Sequence, residues 1–301
     1  MARTARFEPW RAWRCCRQGE YRITWRLLVL VLPCALPWAF TGVAPRAPRS
    51  RPRVLGVGAD AMWASAEVTE VAPWVVAAAA LVSLVGAIQG LRRGALKKEL
   101  LELISTTQRG SDESQNAEVQ RLFTDLEGLS PISEPLSSDE LRGDWELVWT
   151  TSAAILGLGR PGFLKPLEDQ PILQFLDPQA GVARNLEFTP LGCNRVDASI
   201  VPLGPGQREA FVSRLDDFLL FKQGAEEKPG GSYLPQAEGL EKTTVGVRFK
   251  TFTLFGLIPV PAPENATGIL QVTYLDDDLR LSRGDRGNLF VLKKVSSELS
   301  A

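Results

Sequence analysis

Hydrophobic and polar residues alternate with a period of two over much of the chain from residue 143 onward, which predicts β-strands. In the first of these segments Trp145, Leu147 and Trp149 are expected to share one face. Further strands are predicted over residues 172–176, 182–188, 193–201, 211–221, 243–255 and 268–275. Because turn residues separate the segments and no helical pattern intervenes, we expect about eight strands joined to antiparallel neighbours.

The last predicted element is a hairpin over residues 274–292, in which two apolar strands flank a polar, glycine-rich turn. Gly143 and Trp145 stand at the start of the first strand. Three arginines lie close to the hairpin turn, namely Arg280, Arg283 and Arg286. Since the first and last strands of a closed sheet are neighbours, we expect these residues to meet and to close one end of a small β-barrel.

Two amphipathic helices are predicted ahead of the strands, over residues 95–128. The first is expected to end at Gly110, and the second is expected to run from Ser114 to a stop at Gly128. Their apolar faces comprise Leu96, Leu100, Leu103 and Ile104 in the first helix, and Val119, Leu122, Phe123 and Leu126 in the second.

A row of strands without helical crossovers has two exposed edges unless the sheet closes on itself. The expected fold is therefore mainly β, an up-and-down antiparallel barrel over residues 143–294. An eight-stranded barrel has an interior wide enough for one small ligand. The aromatic residues predicted to line it are Trp145, Trp149, Phe175, Phe188 and Phe249. For each of them, plain core packing is the alternative.

The first 94 residues differ in composition from the rest of the chain. They contain 13 arginines, no lysine and 5 acidic residues, whereas residues 95–301 contain 21 basic and 30 acidic residues. An arginine-rich segment with few acidic residues is typical of a targeting sequence. The acidic remainder argues against a nucleic-acid partner, because such binding depends on a basic surface.

Two apolar runs, over residues 27–40 and 71–91, divide this N-terminal segment. The first has the length of the apolar part of a signal peptide. The order of the runs, with Phe40 opening an arginine-rich stretch between them, is similar to the tripartite presequences of algal plastids enclosed by extra membranes. The second run is long enough to cross a bilayer, so a retained transmembrane anchor is the alternative to a removed presequence over residues 1–94.

Catalytic chemistry finds little support in the sequence. The chain has no histidine, which removes the commonest general base and the usual partner of a nucleophilic serine or cysteine. No P-loop and no dinucleotide-binding fingerprint occurs. The acidic run 276–278 lacks the ligand spacing of a cation-binding loop and is expected to be a solvated turn. We therefore predict no metal, no cofactor and no enzymatic activity.

Three segments resemble the plastid lipid-associated protein (fibrillin) family, over residues 98–110, 141–152 and 274–292. They correspond to the first helix, the opening strand and the closing hairpin, and they occur in the family's order. The closing hairpin is the most specific of the three. The resemblance covers residues 95–294 and leaves 295–301 as a tail.

The resemblance implies a lipocalin-like barrel in a plastid (chloroplast), associated with plastoglobules or thylakoid membranes. It implies a hydrophobic small molecule as ligand, such as a lipid, a carotenoid or a quinone. It also implies that Trp145 packs beneath an arginine of the last hairpin, a contact that contributes roughly 0.5–2 kcal/mol. Arg283 is favoured over Arg280 for this contact because Arg283 borders the turn.

Two other functions remain open. One is a barrel enzyme acting on a prenyl lipid or carotenoid through a carboxylate whose pKa is raised inside the cavity. The other is a structural partner of a membrane complex, tethered by residues 71–91. The apolar segment 255–261 is a candidate for contact with a membrane or lipid droplet, with a buried barrel corner as the alternative.

Overall fold

A computed structural model describes residues 73–204, 206–207, 210–211, 240–284 and 286–295. The apolar run 27–40, nearly all of the predicted strand 211–221, most of the segment 222–241 and nearly all of the C-terminal tail lie outside these residues. Residues 83–295 belong to one compact unit. Residues 73–82 belong to a second unit, of which only a helical stretch is described.

Three α-helices are present in the described ranges: α1 over Pro73–Ile104, α2 over Asn116–Glu127 and α3 over Ala153–Leu156. Helix α1 ends six residues before the predicted stop at Gly110. The cause is local: Ser105, Thr106 and Thr107 each donate a side-chain hydrogen bond to a carbonyl three residues earlier, which completes the helix end. Helix α2 agrees closely with its prediction and is followed by Gly128.

No helix among the described residues is long and apolar enough to span a membrane. The transmembrane alternative for residues 71–91 is therefore not supported in the part of the run that the structure describes. The composition explains the result, because Ala77–Ala80, Gly86 and Gly90 contribute little apolar surface along the run.

Nine strands of the described residues form one antiparallel sheet: β1 Gly143–Thr150, β2 Leu173–Asp177, β3 Val182–Thr189, β4 Gly192–Pro202, β5 Thr244–Leu254, β6 Ile258–Pro261, β7 Thr267–Leu275, β8 Leu279–Gly284 and β9 Leu289–Lys294. The order is β4-β3-β2-β1-β9-β8-β7-β5-β6, and β4 also pairs with β5. Eight strands thus close into a ring, with β6 attached to β5 outside it. This confirms the predicted mainly-β barrel preceded by helices.

Two pairings close the ring. The first strand pairs with the last, with Trp145 opposite Lys294 and Leu147 opposite Leu292. Strand β4 pairs directly with β5, from Arg195 opposite Thr253 to Pro202 opposite Val245. The described strands therefore close the barrel without the strand predicted over 211–221. Strand β6, in contrast, forms where an apolar loop or a barrel corner was predicted.

A β-bulge in β1 divides its side chains between two cores. The register shifts between Leu147 and Trp149, so that one extra residue is inserted into β1. Leu147 packs in the barrel interior with Trp145, whereas Trp149 packs outside it, against helices α1 and α2. The prediction that Trp149 shares the face of Trp145 is therefore wrong, because the bulge shifts the alternation by one residue.

Helices α1 and α2 cover part of the outer face of the barrel. Their buried side chains pack on β7, β8 and β9 in a core separate from the barrel interior. From the helices this core takes Leu100, Ile104, Val119, Leu122, Phe123 and Leu126, and from the strands it takes Trp149, Tyr274, Leu279, Leu281, Leu289 and Val291. Strands β8 and β9 are therefore apolar on the face away from the lumen as well as buried on the face toward it.

Candidate functional site

One end of the barrel is closed by the segment that precedes β1. Two short 3₁₀ turns, Pro135–Ser137 and Asp139–Leu141, bring Leu136 and Leu141 into the interior core beside Trp145. The indole Nε1 of Trp145 donates to the carbonyl of Leu141 over 3.0 Å. Lys294, at the end of β9, donates to the carbonyl of Glu140 over 2.7 Å. The turn segment is therefore hydrogen-bonded to both the first and the last strand.

Arg280 lies at the centre of the closed end and has no exposed surface. Its guanidinium carbon is 4.9 Å from the centroid of the Trp145 ring. Its Nη2 donates to Oε1 of Gln174, whose Nε2 donates to Oδ1 of Asn185 over 2.9 Å. These contacts run from β8 past β1 to β2 and β3, across the interior. We call Trp145, Arg280, Gln174 and Lys294 the closed-end cluster.

Burial sets the electrostatics of Arg280. Desolvation lowers its pKa to about 9, which still leaves the guanidinium charged at neutral pH. A second cation, the Nζ of Lys294, lies 5.5 Å from the centroid of the same Trp145 ring. A desolvated cation over an indole contributes about 2 kcal/mol, which offsets only part of the cost of burying the charge.

The three arginines of the last hairpin do not form one cluster. Arg283 lies on the outer face, where its Nε and Nη2 each donate to the carboxylate of Glu127 in α2 over 2.7 Å. This pairing raises the pKa of Arg283. Arg286 is exposed in the turn between β8 and β9. The sequence favoured Arg283 for the contact with Trp145, but strand alternation places Arg283 on the opposite face from Arg280, and it is Arg280 that makes the contact.

Gly143 meets a backbone requirement at the same end. Its φ is +136°, a region that side-chain-bearing residues rarely adopt. This conformation lets the chain pass from the turn Asp139–Leu141 into β1, where Gly143 pairs with Leu176 of β2. The role of Gly143 at the closed end is thus a matter of conformation.

Of the five aromatic residues predicted to line the interior, Trp145 and Phe249 pack with the interior core. Trp149 packs against the helices, as described above. Phe188 belongs to a separate cluster with Leu173. Phe175 lies, by alternation along β2, on the face of Leu173 and not on that of Leu176, which is in the interior core.

The hydrophobic pattern did not identify several other interior residues. Phe252 stacks on Phe249 with ring centroids 5.9 Å apart, because a bulge between β4 and β5 turns both rings to the same side. Leu270 and Phe290 also pack against the interior core. The polar pair Gln174 and Asn185 had no signal in the hydrophobic pattern, although the position of Gln174 on the same face of β2 as the buried Leu176 could have indicated an interior hydrogen bond.

Interior side chains are less deeply buried at positions away from the closed-end cluster. The side chains of Val247, Phe249, Leu270 and Phe290 are only partly buried, although they pack against the interior core. Ile155, on α3 in the loop between β1 and β2, is partly buried against the same core. The barrel interior is therefore lined by apolar side chains, which are fully buried beside Trp145 and only partly buried at these other positions.

Three loops meet at the end opposite the closed-end cluster. In the β5–β6 turn, the backbone N–H of Phe255 donates to Oδ1 of Asn194, near the start of β4, over 2.9 Å. In the β1–β2 loop, Arg160 donates to Glu187 of β3 over 2.9 Å, and Glu187 also accepts from Asn194 over 2.9 Å. These polar contacts hold the β1–β2, β3–β4 and β5–β6 loops together.

The same loops expose apolar side chains. Leu257 is 71% exposed and Ile258 is 53% exposed at the tip of the β5–β6 hairpin. The tip is a three-residue loop, since Leu254 pairs with Ile258, and φ is positive at Phe255 (55°) and Gly256 (74°). The other exposed apolar residues of these loops are Leu158, Phe163 and Leu191. We call these five residues the apolar rim, namely Leu158, Phe163, Leu191, Leu257 and Ile258.

In the acidic run 276–278, Asp277 and Asp278 are exposed, as predicted for a solvated turn, whereas Asp276 is buried and supports the fold. Asp276 is only 8% exposed. It accepts from the hydroxyl of Tyr274 over 2.6 Å and from the backbone N–H of Leu279 over 2.7 Å. Lys97 of α1 forms ion pairs with both Asp276 and Asp278. The run therefore connects the β7–β8 turn to helix α1.

An eight-stranded antiparallel barrel whose apolar interior is closed at one end by a buried arginine over a tryptophan has the architecture of the lipocalin-like class. The comparison with family models narrows this class. The PAP_fibrillin model matches residues 94–201 and 242–293, and the chain belongs to this family. The family resemblance seen in the sequence is thereby confirmed.

The chain is similar to several plastid proteins. It is 32% identical over 205 residues to a probable plastid-lipid-associated protein 5, chloroplastic, of Arabidopsis thaliana, covering 67% of this chain and 70% of that protein. It is 30% identical over 227 residues to the chromoplast-specific carotenoid-associated protein C1 of an Oncidium hybrid cultivar, covering 68% and 70%. Plastoglobulin-1, chloroplastic, of Pisum sativum is 26% identical over 230 residues, covering 68% and 62%.

These relatives are chloroplast or chromoplast proteins, and the chain is accordingly a plastid protein. No solved structure matches the chain at a significant level.

The closed-end cluster predicts energetic coupling between Trp145 and Arg280. In a double-mutant cycle with Trp145→Ala and Arg280→Met, the two changes in unfolding free energy should be non-additive by about 1–2 kcal/mol, because each removes the same cation–π contact. Urea unfolding of the four proteins measures this coupling. The matched control is the cycle of Trp145→Ala with Arg283→Met, which should be additive since Arg283 contacts Glu127 on the outer face. Equal coupling in the two cycles would contradict the assignment.

The contact between Tyr274 and Asp276 predicts a pH dependence. Burial, followed by the hydrogen bond to Asp276, raises the folded-state pKa of Tyr274 above its ordinary value of 10.0. The neutral phenol is therefore favoured by folding, and its contribution is fully present below pH 10.0 and is lost as the pH rises further. Tyr274→Phe should cost about 1.5–3 kcal/mol at neutral pH.

Denaturant unfolding of wild type and Tyr274→Phe as a function of pH checks this prediction. The difference in unfolding free energy between the two proteins should be constant through neutral pH and should shrink in alkaline solution. A difference that grows in alkaline solution would have the wrong sign for a raised pKa.

Proposed function

We propose that this protein binds small hydrophobic molecules in the barrel interior and associates with plastid lipid surfaces through the apolar rim, without catalysis. The observation that carries the proposal is the asymmetry of the barrel. A hydrogen-bonded cluster in which Trp145 and Arg280 are fully buried closes the interior on one side, while Val247, Phe249, Leu270 and Phe290 are only partly buried. An apolar interior with restricted access is the usual form of a small-molecule site.

The names of the relatives support the ligand class. The Oncidium relative is named for carotenoid association, the Arabidopsis relative for lipid association, and the Pisum relative is a plastoglobulin. Lipids, carotenoids and quinones share long apolar chains, whose burial contributes about 25 cal/mol per Å². An interior lined by aliphatic and aromatic side chains suits all of them, and we propose such a molecule as the ligand.

The apolar rim supports association with a lipid surface. The strained tip of the β5–β6 hairpin is held by the hydrogen bond from Phe255 to Asn194, and it presents Leu257 and Ile258 outward. Backbone strain of this kind persists where the surrounding structure fixes it, often at functional sites. Insertion of the rim into a thylakoid membrane or a plastoglobule surface would remove these side chains from water and bring the interior next to the lipid phase.

An enzymatic role has less support. The carboxylate that alternation places on the inner face of β3 is Glu187, and it accepts hydrogen bonds from both Arg160 and Asn194. Both contacts hold Glu187 within the polar network that joins the loops at this end of the barrel, so its carboxylate is engaged in a structural role. The geometry thus favours binding and not proton transfer.

Gly268 offers a test of the interior site. It lies in β7 opposite Val247, and a Cβ at this position would meet no atom closer than the Cε2 of Phe249 at 3.9 Å. Gly268→Leu should fill interior space without backbone strain, and it should weaken the binding of β-carotene or a long-chain quinone by about tenfold. Fluorescence quenching with the full-length protein measures this binding. The matched control Gly268→Ala should bind nearly as wild type, and unchanged affinity in Gly268→Leu would place the ligand elsewhere.

The apolar rim can be tested separately. The double variant Leu257→Ser/Ile258→Ser should bind vesicles of neutral plastid lipids at least about tenfold more weakly, because two large apolar side chains no longer enter the lipid. Vesicle sedimentation measures the bound fraction, which should depend little on salt. The control is Val182→Ser/Val201→Ser, which changes exposed apolar residues at the other end of the barrel. An equal loss in the control would contradict a specific role for the rim.

A further inference from the structure

Two residues on the inner face of β8 carry polar atoms that lack a hydrogen-bond partner. They are Arg280, through Nε and Nη1, and Ser282, through Oγ. Both side chains have no exposed surface. The remaining nitrogen of Arg280, Nη2, donates to Gln174. The interior therefore contains two neighbouring residues on one face of β8 whose polar atoms have no hydrogen-bond partner.

The local charge is positive and uncompensated. Within the ranges that the structure describes, no carboxylate is bonded to Arg280, and desolvation alone accounts for its lowered pKa. Lys294 adds a second cation over the same indole, although Glu140 pairs with this lysine over 3.0 Å near the surface. An unpaired buried charge is among the most costly arrangements in a protein, and a buried donor left without a partner further destabilises the folded state.

Resting on the proposed function, we propose that the interior ligand is an amphiphile with a carboxylate head group, which accepts hydrogen bonds from Arg280 and Ser282 while its apolar chain extends along Phe290 and Phe249. A fatty-acid anion has this chemistry. The head group supplies both the missing acceptor and the missing negative charge. A neutral lipid would supply only the acceptor.

The strand register defines the path to this site. Ser282 is paired directly with Phe290 of β9, which in turn is paired with Thr150 of β1. Phe290 is partly buried, whereas Ser282 and Arg280 are fully buried. The head group therefore has to pass Phe290, and rotation of that ring is the movement that entry requires. The apolar chain then follows the partly exposed interior side chains outward.

A ligand series tests the proposal on the unmodified full-length protein. Dodecanoate, dodecanol and methyl dodecanoate have the same apolar chain and differ only in the head group. Each is titrated against protein loaded with a neutral fluorescent apolar probe. Dodecanoate should displace the probe with about tenfold higher affinity than either neutral compound, because a charge-assisted hydrogen bond is about twice as strong as a neutral one. Equal affinity for the three compounds would overturn the carboxylate site and leave the proposed function intact, whereas failure of the probe and all three compounds to bind would contradict the proposed function itself.

Variants locate the head group. Arg280→Met should abolish the preference for dodecanoate, and Ser282→Ala should reduce it, while Arg283→Met should retain it because Arg283 lies on the outer face. A preference that persists in Arg280→Met would overturn the assignment.

A second measurement covers the case in which Arg280→Met does not fold. Nuclear magnetic resonance of dodecanoate labelled at its carboxyl carbon reports the titration of the head group bound to the native protein. Its pKa should be lower when bound than when free, because a neighbouring cation favours the carboxylate. A bound pKa at or above the free value would place the carboxyl group away from Arg280.

Discussion

The barrel depends on the contact between Arg280 and Trp145. Trp145 comes from the first strand and Arg280 from the strand next to the last, so the contact can form only when β1 and β9 are paired and the ring is closed. The hydrogen bond from Arg280 to Gln174 extends the same constraint to β2 on the far side of β1. Burial of a guanidinium is unfavourable in itself, so this arrangement is a weak source of stability compared with an apolar core. Its effect is to select one register, because any slip of β8 by one residue would move the charge to the outer face.

The register of β8 needs an additional determinant because β8 and β9 are buried on both faces. Leu279 and Leu281 pack on the helices, while Arg280 and Ser282 face the interior. A strand with two buried faces has little in its hydrophobic pattern to fix the register. Arg280 provides that information from inside the barrel, and the bidentate pair of Arg283 with Glu127 provides it from outside. The two arginines thus act in the same strand on opposite faces, each with a distinct partner.

The sequence predicted the strands, the closure and the involvement of Trp145, because alternation and turn residues act locally. The predictions from the sequence were wrong where the strands depart from a uniform alternation of two residues. Trp149 was placed inside the barrel because nothing local marks the bulge after Leu147. Arg283 was preferred over Arg280 because it borders the turn, whereas alternation along β8 places Arg280 on the interior face, opposite the leucines that pack against helices α1 and α2. The predictions for Phe188 and Phe175 were wrong for a related reason. An aromatic residue on the outer face of a strand gives the same alternation as one that points into the lumen.

The two ends of the barrel differ in where they place their polar and apolar side chains. The closed end places its polar groups deep in the interior, where the hydrogen bonds from Trp145 to Leu141 and from Arg280 to Gln174 keep the segment before β1 in place. The other end keeps its polar contacts within the loops, through Arg160, Glu187 and Asn194, and turns Leu257 and Ile258 outward. A protein that takes up an apolar molecule from a lipid phase needs this division, because the end that contacts lipid must expose apolar side chains without unfolding. Rigidity of the closed end and of the loop hydrogen bonds makes that exposure compatible with a stable barrel.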